Sequence, residues 1–229
     1  MEVRYRGHSC VEVRGEHHLL IDPDFTEPPA PGVEFICITH AHRDHIAKVA
    51  SVDTGTVLAS PDVCEIAERL GVPRRRLRPV KPGEQVANIR VFPGNSATNG
   101  ALYTALYVLF KQRLPDASGT PLAFMVEDEL TLLHDGDAHE ANEQLRPDIL
   151  CLTWRTVPVR PALYRERILA VAAAYRPRYV LPIHYDLPKA EADPCELERE
   201  LAVPVLLGRD WHTVDADQDS DQTTARNGH

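Results

Sequence analysis

No Cys-x-x-Cys pair occurs in this chain, and its five cysteines (Cys10, Cys37, Cys64, Cys151, Cys195) are odd in number and widely spaced. That excludes a disulfide framework or a cysteine zinc cluster as the basis of the fold. Cys37 and Cys151 fall inside the apolar runs Phe35-Ile36-Cys37-Ile38 and Ile149-Leu150-Cys151-Leu152 and read as small hydrophobes packed in strands. Positive charge is scarce as well, with 25 Lys and Arg against 34 Asp and Glu and a formal net charge of -9. Nucleic-acid backbone needs clustered cations to release its counterions, so no nucleic-acid partner is expected. The one dense basic cluster, Arg74, Arg75, Arg76 and Arg78, reads as a solvated connection. No apolar run is long enough for a membrane span. Met1-Glu2-Val3-Arg4 alternates polar with apolar and lacks the apolar core of a secretory signal. The expectation is a cytoplasmic protein with no membrane partner.

The chain has 229 residues, enough to bury a core without metal or disulfide help. One domain over 1–214 is expected, with an acidic disordered tail over 215–229 that carries Asp217, Asp219 and Asp221 without periodicity. Strand patterns open the sequence at Glu2–Tyr5, Cys10–Val13 and His18–Ile21. A connection through Pro28, Pro29 and Pro31 follows, which can hold neither helix nor central strand. Val33–Ile38 is almost continuously apolar, as expected of a strand covered on both faces. Ser60-Pro61 starts a helix that Gly71 stops. Further strands are expected at Val57–Ala59, Leu77–Val80, Val86–Phe92, Pro121–Glu127, Leu130–Leu133, Asp148–Thr153 and Tyr179–Ile183, with Pro79 confining its strand to a sheet edge. An Ala-rich helix should span Pro161–Tyr175. The segment Gly100–Leu114 suits a helix with a wide apolar stripe, and its aromatic and β-branched content also allows a strand. Strand-and-helix alternation occurs once in each half. The expected class is therefore α/β, a four-layer αββα sandwich of two mixed sheets packed face to face with helices outside.

The strongest chemical signal is His40-x-His42-x-Asp44-His45, directly after the apolar Val33–Ile38 run. Three imidazoles and a carboxylate within six residues cannot all be packed without partners. Imidazole nitrogen and carboxylate oxygen suit zinc, manganese or iron, so a divalent metal is the economical reading. Arg155, just past the Asp148–Thr153 strand, can bind an anionic substrate group or serve as a surface arginine. His17 and His18 form a turn-edge pair read as facing solvent.

Thr39-His40-Ala41-His42-Arg43-Asp44-His45 resembles the T-H-x-H-x-D-H signature of the metallo-β-lactamase superfamily. Gly7-His8-Ser9 followed by Ile21-Asp22-Pro23 resembles the openings of its ascorbate-phosphate lactonase-like and related metal-dependent hydrolase branches. His134-Asp135-Gly136-Asp137 is similar to the family's Gly-Asp segment, and Leu181-Pro182-Ile183-His184-Tyr185 to its Pro-x-His strand end. The resemblance implies the metallo-β-lactamase fold, with His40 and His42 at a first metal, Asp44, His45 and His184 at a second, and Asp137 bridging both. Where the family places a third first-site histidine, this chain has Gly94-Asn95-Ser96. Asn95, His139 and His134 are then the substitute ligands to consider, and His8 a residue near the metals that either contacts substrate or packs.

The function implied is a hydrolase that uses a metal-bound hydroxide on a small-molecule lactone, ester or phosphoester, with one or two divalent ions, zinc first, and Asp44 handling the proton. Two other classes stay open: a mono-iron oxidoreductase, and a non-catalytic metal-binding or scaffold protein. Substrate, metal and oligomeric state, a homo-oligomer included, are not legible.

Overall fold

The computed structural model describes residues 1–95, 119–157 and 160–216. The helix expected over 100–114 and all but the first two residues of the tail expected over 215–229 lie outside the described residues.

Alternation of apolar and polar residues along β1 (Glu2–Gly7), β2 (Cys10–Arg14) and β3 (His18–Ile21) puts one set of side chains on each face. These strands run antiparallel, and β4 (Phe35–Cys37), β5 (Thr56–Ala59) and β6 (Leu77–Pro79) continue the sheet in parallel. β6 ends this sheet, where Pro79 can sit without a donor. β4 is shorter than its apolar run because its register with β3 pairs only Phe35 to Cys37.

The second sheet holds β7 (Gln85–Val86), β8 (Ile89–Pro93), β9 (Leu122–Glu127), β10 (Thr131–His134), β11 (Ile149–Thr153) and β12 (Tyr179–Ile183). Its order is β12-β11-β10-β9-β8-β7, parallel from β10 to β12 and antiparallel elsewhere. The single strand expected over Val86–Phe92 is instead a tight hairpin, turned at Ala87, whose φ of 51° no propensity argument anticipates. β13 (His212–Thr213) returns to pair with β1 at the outer edge of the first sheet.

Three clusters of buried side chains define the layers. Val11, Leu19, Ile21, Phe124, Leu132 and Leu181 fill the space between the sheets. Leu20, Ile36, Val57, Val63 and Ala67 pack the first sheet under α2 (Pro61–Arg69). Leu133, Leu150, Val180, Ile168, Ala172 and Leu197 pack the second under α3 (Pro161–Tyr175) and α4 (Cys195–Glu200). Leu19 and Ile21 point inward while Leu20 points out, which is the period of two that produces an αββα sandwich.

Two polar details differ from the sequence reading. Arg76 is not simply solvated: its guanidinium donates to the carbonyls of Gly55 at 2.8 Å and Val52 at 2.7 Å and fastens the loop before β5. His18 does not face solvent but turns Nε2 onto Glu12 at 2.8 Å. Glu12, fully buried on the outer face of β2, also accepts from Arg6 Nε at 2.5 Å and from Ala30 N at 2.9 Å. The Pro-rich connection thus covers a buried ion pair. Removing one partner leaves the other charge stranded, so Glu12→Ala is expected to lower stability by about 3 kcal/mol or more. Urea unfolding checks this, and an unchanged midpoint would show that water already compensates the network.

Candidate metal centre

Every residue of the centre leaves the carboxyl end of a strand. His40, His42, Asp44 and His45 follow β4, Asp137 follows β10, and His184 follows β12. Loops at such strand ends converge because the strands diverge in twist and the helices return on the outside. The short α1 (Arg43–Ile46) lifts Asp44 and His45 toward the other loops, with His42 at its N-cap.

Asp137 is the hub. Its Oδ2 lies 3.6 Å from His40 Nε2 and 3.9 Å from His42 Nδ1, and its Oδ1 lies 3.7 Å from His45 Nε2 and 3.4 Å from His184 Nε2. Asp44 Oδ2 is 3.6 Å from His184 Nδ1 and 3.9 Å from His45 Nε2. Two groups of convergent ligand atoms result, His40 with His45 and Asp137, and Asp44 with His45 and His184, each spanning no more than 4.8 Å. His45 is shared between them, whereas the sequence reading gave it to the second ion alone. His42 instead places Nδ1 2.9 Å from His40 Nε2.

These residues fit a divalent cation by their unpaired atoms. His45 Nε2, Asp137 Oδ1 and both ring nitrogens of His184 are buried without a hydrogen-bond partner. Such orphans are rare and costly, and His45 Nε2 and His184 Nε2, both facing Asp137 Oδ1 at 3.7 and 3.4 Å, call for a shared partner, while His184 Nδ1 faces Asp44. Burial holds His184 well below the ordinary imidazole range, and burial with the neighbouring His45 lowers His40 as well, so both offer lone pairs. For Asp137 burial favours the neutral acid, but Arg155 and the imidazoles of His40, His42 and His45 outweigh it and hold the carboxyl well below its usual range.

The support beneath these groups was not legible in the sequence. Asp22, fully buried at the end of β3, accepts from His45 Nδ1, Thr39 N and Thr39 Oγ1, each at 2.7 Å. That bond fixes the His45 tautomer and leaves Nε2 to face Asp137. Thr39 Oγ1 also stands 3.0 Å from His40 Nδ1. Gly136 has φ of 56°, and a Cβ there would lie 2.9 Å from the Asn95 carbonyl, so the turn that seats Asp137 needs glycine. His8, Asp22 and His184 also have φ between 51° and 66°, a backbone cost concentrated around the centre.

The three substitute ligands are placed differently from one another. His134 is a strut: Nε2 bonds the Ser9 carbonyl at 2.9 Å and Nδ1 accepts from Gly136 N at 3.3 Å, which removes it from the substitutes. The Asn95 amide donates to the Glu140 carbonyl at 3.3 Å. His139 sets its ring edge-on to Tyr164, with centroids 6.2 Å apart. His139 belongs to no group of convergent His, Cys, Asp and Glu ligand atoms among the described residues. His8 bonds Asp24 Oδ2 through Nδ1 at 2.7 Å, and that bond, against burial, raises its pKa. Arg155 stands with Nη2 3.7 Å from Asp137 Oδ1.

Comparison with known proteins places this geometry in context. The sequence model of the beta-lactamase superfamily domain matches residues 2–184. A metal-dependent hydrolase of Pyrobaculum arsenaticum is 30% identical over 217 residues, covering 85% of this chain and 88% of the relative. One from Halobacterium salinarum is 29% identical, covering 98% of this chain and 100% of the relative. Among solved structures, an inferred metal-dependent hydrolase from Parabacteroides distasonis superposes with a TM-score of 0.64 at 18% identity, covering 89% of this chain and 90% of that one, which speaks to the fold alone.

Proposed function

The chain belongs to the beta-lactamase superfamily, and from that premise we propose that it is a metal-dependent hydrolase of a small-molecule lactone, ester or phosphoester, of the lactonase-like kind. The observation that carries this reading is the set of buried, unpaired ligand atoms on His45, Asp137 and His184. Asp44, His45 and His184 would hold one divalent ion, and His40 and Asp137, with His42 beside them, would offer a place for a second. Zinc is the proposed ion, and manganese and iron suit the same nitrogen and oxygen donors. An ion there supplies Lewis acidity, lowering the pKa of water from about 15.7 toward roughly 7 and polarising a carbonyl or phosphoryl oxygen.

The chain's own residues do the rest. Asp44 is the one carboxylate of the centre that reaches solvent, with 23% of its side chain exposed, so it accepts a proton from water and returns it to the leaving group. Asp22 and Thr39 keep His45 and His40 in the tautomers that present Nε2. His8, oriented by Asp24, faces the substrate from the β1–β2 turn. The cysteines are unpaired and four of the five are buried, which suits a reducing cytoplasm. No helix among the described residues is long and apolar enough to cross a membrane.

The test is a panel of aryl esters, lactones and phosphodiesters assayed on chelator-treated protein and on the same protein reloaded with zinc, manganese or iron, with metal per chain measured. Hydrolysis that returns with about one or two ions per chain is expected. Metal retention without turnover on any class, together with oxygen uptake on thiols by the iron form, would replace the hydrolase with an oxidase. No bound metal at all would leave a non-catalytic protein.

A further inference from the structure

Between α4 and β13 the chain crosses from one sheet to the other. Val205 bridges Val180 of β12, and His212 pairs with Val3 of β1. Arg209 lies on that crossing, and its guanidinium reaches two other segments. Nη2 donates to Asp186 Oδ2 at 2.6 Å and Nη1 to the Thr26 hydroxyl, with a Glu27 carboxylate oxygen 3.5 Å away. Asp186 stands two residues past His184, and its other oxygen is also taken. Oδ1 accepts from the Tyr5 hydroxyl at 2.5 Å and from His8 N at 2.8 Å. The hydrolytic chemistry gives Arg209, Asp186 and Tyr5 no task.

These bonds converge on the backbone that carries His184. Residue 8 gives both of its main-chain groups to the loop after β12. Its N–H goes to Asp186, and its carbonyl accepts from His184 N at 2.5 Å. His8 and His184 both hold a positive φ, 51° and 66°, which a residue with a Cβ resists. Such a conformation persists only where its surroundings over-determine it. At His184 one such tie is the bond to His8, and at His8 it is the bond to Asp186. Asp186 itself needs a fixed carboxylate plane to serve the turn. The charge-assisted bond from Arg209 pins Oδ2 and leaves Oδ1 facing His8 and Tyr5.

Resting on the metal centre of the reading above, we infer that Asp186 and Arg209 are positioning residues for His184. Arg209 fixes Asp186, Asp186 fixes the β1–β2 turn through His8 N, and the turn holds His184 N. The His184 ring is thereby kept with Nε2 toward Asp137 and Nδ1 toward Asp44. Arg209 keeps 33% of its side chain exposed and Asp186 20%. A pair so placed adds little to the stability of the fold, so its effect falls on the geometry of the centre.

Zinc affinity, measured by competition against a chromophoric chelator, tests this in wild type, Asp186→Ala, Arg209→Met, Arg209→Lys and the Asp186→Ala/Arg209→Met double variant. Urea unfolding of each metal-free protein and the visible spectrum of each cobalt form accompany it. Groups that orient metal ligands are worth about 10- to 100-fold in affinity, and this pair acts one step further back, so Asp186→Ala should weaken zinc about 10-fold and Arg209→Met about 3-fold. The urea midpoint of Arg209→Met should stay at the wild-type value while its cobalt spectrum moves, and Arg209→Lys should recover part of the affinity. The double variant should lose no more than Asp186→Ala alone, because Arg209 acts through Asp186. Arg165→Met is the control: it breaks a pair with Glu196 of similar exposure, 38% and 35%, and should bind zinc as wild type does. Wild-type affinity with an unmoved cobalt spectrum in Arg209→Met overturns the inference, as do losses that add in the double variant. If Asp186→Ala does not fold, Arg209→Met and Arg209→Lys decide alone. The readout is affinity, so a wild type that binds zinc but hydrolyses nothing sinks the hydrolase reading and leaves the inference standing when the variants lose zinc.

Discussion

His184→Ala is expected to abolish hydrolysis and the thermal stabilisation that metal confers, while leaving the metal-free protein about as stable as wild type. The two halves of this result have opposite origins. In the metal-free protein both nitrogens of His184 are buried and unpaired, and the residue sits at φ of 66°. Deleting the ring removes an unsatisfied polar group worth about 1–3 kcal/mol and opens a cavity that costs a similar amount, so the net change stays within roughly 1 kcal/mol. With metal the balance reverses. A cation present at about 1,000 times its dissociation constant stabilises the fold by about 4 kcal/mol, which for a chain of this size shifts the Tm by roughly 10 °C. That shift should vanish in His184→Ala, because the second ligand group loses one of its three members. Turnover should fall by about a thousandfold or more, equivalent to roughly 4 kcal/mol of transition-state stabilisation. His42→Ala is the contrast, since His42 belongs to neither close ligand group and should keep most of the shift. Thermal melts with and without zinc settle the matter, and a full metal-induced shift in His184→Ala would remove this histidine from the centre.

The architecture could be read in advance wherever one short pattern carried the information. The alternation at Leu19, Leu20 and Ile21 sends neighbours to opposite faces of the first sheet, and Pro79 marks that sheet's edge, so layers and an edge strand followed from local rules. The hairpin at Ala87 did not, because an alanine at positive φ follows no turn signature and Val86–Phe92 looks like one continuous strand.

Candidate ligands split in the same way. His40, His42, Asp44 and His45 stand in one loop and are visible as a group, whereas Asp22 meets His45 across 23 positions and reads locally as an Asp-Pro turn. His134 illustrates the converse. By composition it looks like a ligand, yet both of its nitrogens hold backbone groups, and only three-dimensional accounting of hydrogen bonds separates a ligand from a strut. The partner of Asn95 is likewise invisible in sequence: its amide donates to the Glu140 carbonyl, 45 positions away.

Asp22→Asn, a change of one atom and one charge, is expected to weaken zinc binding about 10- to 100-fold although residue 22 touches no metal. The argument is one of donors and acceptors. Asp22 receives three donors, the Thr39 amide, the Thr39 hydroxyl and His45 Nδ1, and as a carboxylate it needs to supply nothing in return. An asparagine can accept at one oxygen only and must present an NH2 group at the other position. If the oxygen serves Thr39 N, the amide nitrogen confronts the Thr39 hydroxyl and His45 Nδ1. His45 is then driven to accept at Nδ1 and to carry its proton on Nε2, the atom that faces Asp137 and both ligand groups. An imidazole protonated at Nε2 has no lone pair there for a cation. The same substitution removes the buried anion whose field, with that of Asp137, raises the pKa of His45 against the effect of burial, so the fold also loses about 3 kcal/mol. Competition against a chromophoric chelator measures the affinity and urea unfolding the stability. Wild-type zinc affinity in a folded Asp22→Asn protein would show that the tautomer of His45 is set by the metal and not by the carboxylate behind it.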